Sequence, residues 1–310
     1  MKIHDLIIIG SGPAGLSAAI YARRAELDAI IIEKSAMSGG QILDTYEVDN
    51  YPGLPGTSGF DLAEAMRAHA DKLGAVFQED TVIRTELAGP VKTVICEDGE
   101  YQARAVVIAA GARHRTLGAP GETRLAGAGV SYCATCDGAF FRGKTTAVVG
   151  GGDVALEDAI FLSRLCEKVY LIHRRDELRG ARSLQKRLMS LDNVEVVWDT
   201  VVEEITGEGR VSSLKLLNKK TSETRELPVD GVFIAVGIEP DSQAYREQLD
   251  LDPQGYIIAG EDGRASLPGV FAAGDIRTKA LRQIVTAAAD GANCIASAER
   301  YLSEGQEEFG

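Results

Sequence analysis

Cys133-Ala-Thr-Cys136-Asp137 is the stretch of this chain whose residue types and spacing point most directly to chemistry. Two thiols separated by two residues can bridge through a short loop, and such pairs carry the lowered pKa that supplies a thiolate nucleophile. A zinc site needs two further ligands. No second CxxC or HxxxH pair exists, and His4, His69, His114 and His173 are scattered. The pair therefore reads as a centre of thiol–disulfide exchange, with no metal expected. Asp137 adjoins the second sulfur. As an acid/base it would protonate a leaving thiolate; its plainer reading is a turn or cap carboxylate. Cys96, Cys166 and Cys294 stand alone in apolar or amphipathic contexts, where cysteine is a small buried hydrophobe.

The elements that must position this pair are legible as an internal duplication. A strand, Leu6 to Ile9, runs into Gly10-Ser-Gly12-Pro13-Ala14-Gly15, then a helical stretch to about Arg24 and a second strand, Ala29 to Ile32, ending at Glu33. The same order recurs as Thr146 to Val149, then Gly150-Gly-Gly152-Asp153-Val154-Ala155, a helix to about Leu165, and Val169 to Ile172, ending at His173. Both turns lie 23 residues before the residue that ends the second strand. Each half later repeats a further strand and turn, Val106 to Gly111 and Val232 to Gly237. The first glycine of such a motif permits the tight turn, the second admits a pyrophosphate, and the third, or Ala, allows close helix–strand packing. The pyrophosphate sits on free N–H groups at the helix N-terminus. A lone GxGxxG is a weak signal, since glycines also make plain strand–helix turns; two in one register are a strong one.

The residue ending each second strand separates the ligands. Glu33 accepts hydrogen bonds from a ribose diol and repels a 2′-phosphate, which suits FAD or NAD. In the second half His173, Arg174, Arg175 and Arg179 occupy that place, a cationic cluster suited to the 2′-phosphate of NADPH. Arg182, Lys186 and Arg187 beyond it read as a solvated basic helix face. Two nucleotide domains of these kinds imply hydride transfer from nicotinamide to flavin.

Length and composition agree. At 310 residues, two domains are expected, and 45% hydrophobic with 25% charged residues describes a globular protein. A net charge of −13 argues against nucleic-acid or anionic-membrane partners. No apolar run approaches the roughly 20 residues of a membrane span, and the start lacks a cationic leader with an apolar core, so a cytoplasmic location is expected.

The residues named so far resemble low-molecular-weight thioredoxin reductases along nearly the whole chain. The resemblance is carried by Gly10 to Gly15, Gly39-Gly40-Gln41, Asn50-Tyr-Pro-Gly53, Cys133 to Asp137, Gly150 to Glu157, His173 to Arg179, Gly274-Asp275 and Arg282-Gln283. It implies an α/β fold of two Rossmann-like, three-layer ββα domains. The FAD domain would comprise residues 1–116 and 243–310, and an NADPH domain carrying the CxxC, 117–242, would be inserted into it. It implies that Asp275 contacts the ribityl chain, that Arg282 and Gln283 open a helix aimed at the flavin, and that Gln41 and Asn50 line the isoalloxazine site. Gly40, Val82, Gly111, Gly274 and Ile284 complete the implied FAD set; Gly150, Gly152, Asp153, Val154, Ala155, Glu157 and Gly237 complete that for NADPH. Cys136 would face the flavin and Cys133 would attack the disulfide of a thioredoxin. Two alternating domain orientations, with hinges near Leu117–Glu122 and Gly237–Asp241, and a homodimer are implied too. Val154 and Asp241 depart from the family pattern, where Ser or Thr and Asn are frequent.

Four other readings remain open on the sequence: a flavin-dependent dithiol oxidase, a reductase fed by ferredoxin or a deazaflavin, an NADPH–ferredoxin reductase, and a redox-sensing nucleotide-binding module. The first two have no need of the His173 to Arg179 cluster, the third has no use for a CxxC, and the fourth leaves the joint presence of both nucleotide motifs and the cysteines unexplained.

Overall fold

The computed structural model describes residues 2–45, 48 and 50–307. It divides into two units, one of Met1–Asp44, Val48–Arg113 and Glu239–Gly310, the other of Thr45–Glu47 and His114–Ile238.

The first unit begins with β1 (Ile3–Ile9), α1 (Pro13–Arg24) and β2 (Ala29–Glu33), followed by α2 (Gly59–Lys72) and β3 (Val76–Glu79). β4 (Val82–Glu86), β5 (Lys92–Cys96) and β6 (Glu100–Ile108) form an antiparallel run. The sheet order is β3-β2-β1-β6-β5-β4, with β1, β2, β3 and the upper part of β6 parallel. Leu6 to Ile9 and Ile30 to Ile32 are buried because the sheet is covered on both faces, so apolar runs replace alternation. Leu6, Ile8 and Ile31 face the helical layer with Leu16 and Ala19; Ile7, Ile9 and Ile32 face Leu87, Val94 and Tyr245.

The chain leaves through β7 (Ala112–His114) and enters the second unit, with β8 (Val130–Ser131), the single turn α3 (Ala134–Asp137), β9 (Thr145–Gly150), α4 (Asp153–Leu162) and β10 (Lys168–Ile172). α5 (Arg182–Met189) and β11 (Val194–Val197) precede an antiparallel sheet of β12 (Thr200–Thr206), β13 (Ser213–Asn218) and β14 (Thr224–Pro228). β15 (Gly231–Ala235) completes a parallel sheet ordered β11-β10-β9-β15-β8. Val148, Leu171 and Phe233 pack toward Leu156 and Ala159 of α4, whereas Ala147, Val149 and Val232 pack toward Leu214 and Leu216 of β13. Each unit is thus an α/β fold on a parallel-stranded sheet, consistent with the two Rossmann-like domains that the family resemblance implies.

The return crossing, β16 (Ile238–Pro240), pairs with β7. The divisions at 113/114 and 238/239 fall a few residues before the sequence-derived 116/117 and 242/243. β17 (Val270–Ala272) then joins β6, and α6 (Ile284–Glu307) packs along α1. That approach requires glycine: a Cβ on Gly291 would lie 2.1 Å from the Ala14 carbonyl oxygen.

Candidate functional site

Cys133 and Cys136 form a disulfide with Cα atoms 5.3 Å apart. Cys133 is the extended residue that opens α3, and its carbonyl accepts the N–H groups of Cys136 (3.3 Å) and Asp137 (3.1 Å). Thr135 Oγ1 lies 3.4 Å from Cys133 Sγ. The Ser131 hydroxyl donates to Asp137 Oδ2 at 2.6 Å and accepts the Cys133 N–H at 3.1 Å. Asp137 Oδ1 is buried with no partner among the described residues. Burial raises the Asp137 pKa above the ordinary carboxylate value, partly opposed by the Ser131 hydrogen bond. Cys96, Cys166 and Cys294 are buried, reduced thiols. Burial pushes Cys96 and Cys294 up to about 12, so neither supplies a thiolate near neutrality.

Just upstream, the buried Glu122 gathers three donors: the Leu117 N–H (3.0 Å), the Gly118 N–H (2.8 Å) and the Tyr132 hydroxyl (2.7 Å). Tyr132, beside Cys133, also stacks on His114 with centroids 5.3 Å apart. This tether ties the start of the second unit to the redox turn.

In the first unit, Gly10 holds φ at 97°, and a Cβ there would lie 2.6 Å from the Ala109 carbonyl oxygen. A Cβ on Gly15 would fall 1.9 Å from the Gly10 carbonyl oxygen, so α1 lies directly on the turn. Gly12 caps α1, with Pro13 at its first position and Ala14 buried behind it. Only Gly39 O (3.8 Å) approaches a Cβ built on Gly12, which leaves space for a phosphate over the free N–H groups. Glu33 is held by the Ser11 N–H and hydroxyl, both 2.7 Å, and by the Ser35 N–H at 3.1 Å. Gly40 and Gln41 open a 3-10 turn on the same side, joined by Gly39 N–H to Ser11 O (2.9 Å). Gly111 holds φ at 73° beyond β6, and Val82 starts β4, paired with Cys96.

The other half of this face comes from the last segment. Asn50 Nδ2 donates to Gln283 Oε1 at 2.9 Å, Gln283 immediately precedes α6, and Ile284 is its first residue. Gly274 (φ 78°) precedes Asp275, and Arg282 lies with its guanidinium carbon 4.0 Å from the Tyr256 ring centroid. Asp275 Oδ1 and Arg282 Nε are both buried without a partner among the described residues. A buried acceptor and donor left open are costly unless a ligand satisfies them. Their geometry fits a polyhydroxylated, anionic ligand. Burial raises the Asp275 pKa, opposed by Lys279 and Arg282. Behind them Asp290 of α6 accepts from Gly274 N (2.9 Å), Arg277 Nε (2.9 Å) and Nη2 (2.6 Å), and Lys279 Nζ (2.8 Å).

In the second unit, a Cβ on Gly150 would meet Ala235 O at 2.4 Å and the Ala155 side chain at 2.6 Å. Gly152 caps α4 with open space above it, and Val154 and Glu157 project from that helix, exposed. Gly237, past β15, holds φ at 125° and accepts the Arg115 N–H. Gly151 O accepts the N–H groups of Arg179 (2.7 Å) and Gly180 (3.2 Å), and Asp153 Oδ1 accepts that of Ala181 (2.6 Å). The basic loop is thereby stitched to the glycine turn. Arg174, Arg175 and Arg179 are exposed, and their guanidinium groups make no hydrogen bond or ion pair among the described residues. His173 has a different place from the three arginines. It is buried, with Nδ1 3.0 Å from Gly150 O and Nε2 2.9 Å from Glu177 O. Burial and the nearby Arg179 and Arg175 lower its pKa, against the two carbonyls.

The model of the pyridine nucleotide-disulphide oxidoreductases matches residues 4–291. The chain belongs to this family. Among curated pyridine nucleotide-disulphide oxidoreductases, a thioredoxin reductase of Listeria innocua is 46% identical over 99% of this chain and 96% of its own length. That of Bacillus subtilis is 44% identical over 99% and 97%. The crystal structure of thioredoxin reductase from Streptococcus pyogenes superimposes with a TM-score of 0.92 at 44% identity, covering 97% of this chain and 99% of that one. The chain is accordingly an oxidoreductase with a redox-active disulfide. Among the described residues, no helix is long and apolar enough to cross a membrane and no three His, Cys, Asp or Glu gather to hold a metal.

Ser11, Ser131, Glu122 and Asp290 escape a reading of motifs. Ser11 and Ser131 carried a signal in their places, one inside the glycine turn and one two residues before Cys133.

Proposed function

We propose that this oxidoreductase is an NADPH-dependent, FAD-containing thioredoxin reductase, a reading carried by the unpaired arginine cluster stitched to the second glycine turn. Guanidinium groups with no protein counter-ion, set beside an open helix N-terminus, suit a nucleotide with both a pyrophosphate and a 2′-phosphate. In the first unit Glu33, preset by Ser11, would take the adenosine ribose diol, and Gly12 with the α1 N-terminus the pyrophosphate. Asp275 Oδ1 and Arg282 Nε, open and buried, would meet the ribityl and flavin polar groups, with Gln41, Asn50, Gln283 and Ile284 around the ring system. Bound FAD supplies the step from two-electron hydride donor to dithiol.

The protein's own part in the chemistry is exchange and proton management. Cys136 takes the flavin side of the disulfide, and Cys133, as thiolate, attacks the disulfide of a thioredoxin; Asp137 protonates the leaving sulfur. On this reading the enzyme acts as a homodimer in the cytoplasm.

The test is an anaerobic titration of the purified protein with NADPH and separately NADH, following flavin absorbance, then addition of thioredoxin. Bleaching by NADPH at low equivalents and restoration by thioredoxin are expected. Bleaching only by a dithiol or another donor would overturn the proposal in favour of an oxidase or an alternative-donor reductase. Cys136→Ser should keep flavin bound and reducible by NADPH yet abolish disulfide turnover.

A further inference from the structure

Among the described residues, the Ser131 hydroxyl is the one side-chain group that touches both the acid and the main chain of the redox turn. It lies at the end of β8, buried, where pairing with Phe233 fixes its backbone. Its oxygen accepts the Cys133 N–H at 3.1 Å, so its single hydrogen is left to donate elsewhere. Two acceptors are in range, Asp137 Oδ2 at 2.6 Å and Cys133 O at 3.4 Å. The shorter contact has the length of a charge-assisted O–H···O⁻ bond, and the longer is at the limit of one. The hydrogen therefore points at Oδ2. That oxygen is committed as an acceptor, and a proton on the carboxyl group goes to Oδ1, which has no partner among the described residues.

We propose that Ser131 is a positioning residue for proton transfer at the redox pair, fixing Asp137 Oδ2 as an acceptor so that Oδ1 alone carries and delivers the proton. This rests on Asp137 acting as the acid in the proposed function. When the Cys133 thiolate attacks the substrate disulfide, a Cys133–substrate S–S bond forms as the substrate's own S–S bond breaks, and that bond's electron pair leaves with the other substrate sulfur as thiolate. The Oδ1 proton moves to that sulfur, giving a thiol and a carboxylate, and water restores the proton. By stabilising the carboxylate, Ser131 also opposes the upward pull of burial on the acid. Helix α4, which packs on this turn, carries the acids Asp153, Glu157 and Asp158.

The experiment uses protein reduced with a phosphine and alkylated with iodoacetamide across pH, the modified cysteines being assigned by mass. In the wild-type protein the rate–pH profile of the pair should carry a step from Asp137 ionisation, absent in Asp137→Asn. Ser131→Ala should move that step to higher pH, and Ser131→Thr, which keeps the hydroxyl, should leave it in place. Disulfide turnover by Ser131→Ala should fall about tenfold, the equivalent of losing one charge-assisted hydrogen bond, while NADPH reduces the flavin at the wild-type rate. A step at the same pH in Ser131→Ala and wild type overturns the proposal. Equal displacement in the Ala and Thr variants also overturns it, because packing alone would then explain both. Failure of NADPH to reduce the wild-type flavin refutes the nucleotide reading and leaves the alkylation result standing by itself.

Discussion

Asp290→Ala should be among the most damaging single substitutions in the first unit, and the structure says by how much. The carboxylate sits in the body of α6, 5% exposed, and accepts four hydrogen bonds from Arg277, Lys279 and the Gly274 N–H. Arg277 and Lys279 are equally enclosed, with side chains 9% and 6% exposed. Arg277 keeps the carbonyls of Ala259 and Thr278, but Lys279 has no other hydrogen bond among the described residues. Removing one member of a buried ion cluster leaves its partners desolvated and uncompensated, at a cost of about 3–5 kcal/mol. A domain holds only about 5–15 kcal/mol in total. Two optical signals separate the units in a urea titration. With FAD bound to the first unit, as proposed, flavin release would report that unit, and Trp198, the single tryptophan of the chain, lies in the second. The variant should release flavin at markedly lower urea with a much smaller change in the Trp198 transition. Adding Lys279→Met should recover part of the loss by removing the stranded charge. Burial alone would raise the Asp290 pKa, but Arg277 and Lys279 hold it below the ordinary carboxylate value. A depressed carboxylate stabilises fully above its unfolded pKa of about 3.9, and that contribution disappears as pH falls through the folded value. The difference between wild type and variant should therefore be level through neutrality and shrink only in acid. A flavin-release midpoint within error of wild type, or a Trp198 shift as large as the flavin shift, would refute the reasoning.

The remaining expectations concern the second unit. Arg174→Ala with Arg175→Ala should raise KM for NADPH far more than for NADH, each lost phosphate contact being worth roughly 1.5–3 kcal/mol; equal effects on both nucleotides sink the 2′-phosphate assignment. Asp158, on α4, has its pKa pushed up to about 7 by burial and by Glu157. A raised carboxylate makes the folded state lose stability as pH climbs from the unfolded value through about 7, so Asp158→Asn should raise Tm at alkaline pH and not in acid. Gly151→Ala would set a Cβ 2.2 Å from the His173 ring. It should weaken NADPH binding while flavin content, measured by absorbance ratio, stays unchanged.

What the sequence makes legible is whatever depends on local chain geometry. Gly10, Gly15 and Gly150 announce themselves because a Cβ at any of them would collide with backbone, and the Cys133/Cys136 spacing is itself the reach of the disulfide. Apolar runs such as Leu6 to Ile9 mark strands covered on both faces. What stays hidden depends on partners brought together by the fold. Glu122 figures in the sequence reading only as the end of a hinge, yet it is buried with three donors on its carboxylate. Asp290 lies within a helix of ordinary composition, and only docking of the 274–279 turn shows that it neutralises two cations. His173 shares a motif with three arginines, but its ring turns inward, because the carbonyls of Gly150 and Glu177 are both within reach.

The discontinuity of the first unit has a consequence for how the protein is made. The upper part of β6, Val106 to Ile108, pairs with β1 on one side and with β17 on the other. A chain emerging from the ribosome finishes β1 and β6 early, then delivers the whole inserted unit before Val270 to Ala272 appear. For that interval Val106 to Ile108 form an open strand edge, and the groove on α1 that receives Gly291 lies bare. The inserted unit holds all of its own strands and can close first, so the nascent first unit is the species exposed to misassociation. A ribosome stalled just past residue 240 should bind chaperones through that edge, and one stalled after α6 has emerged should not.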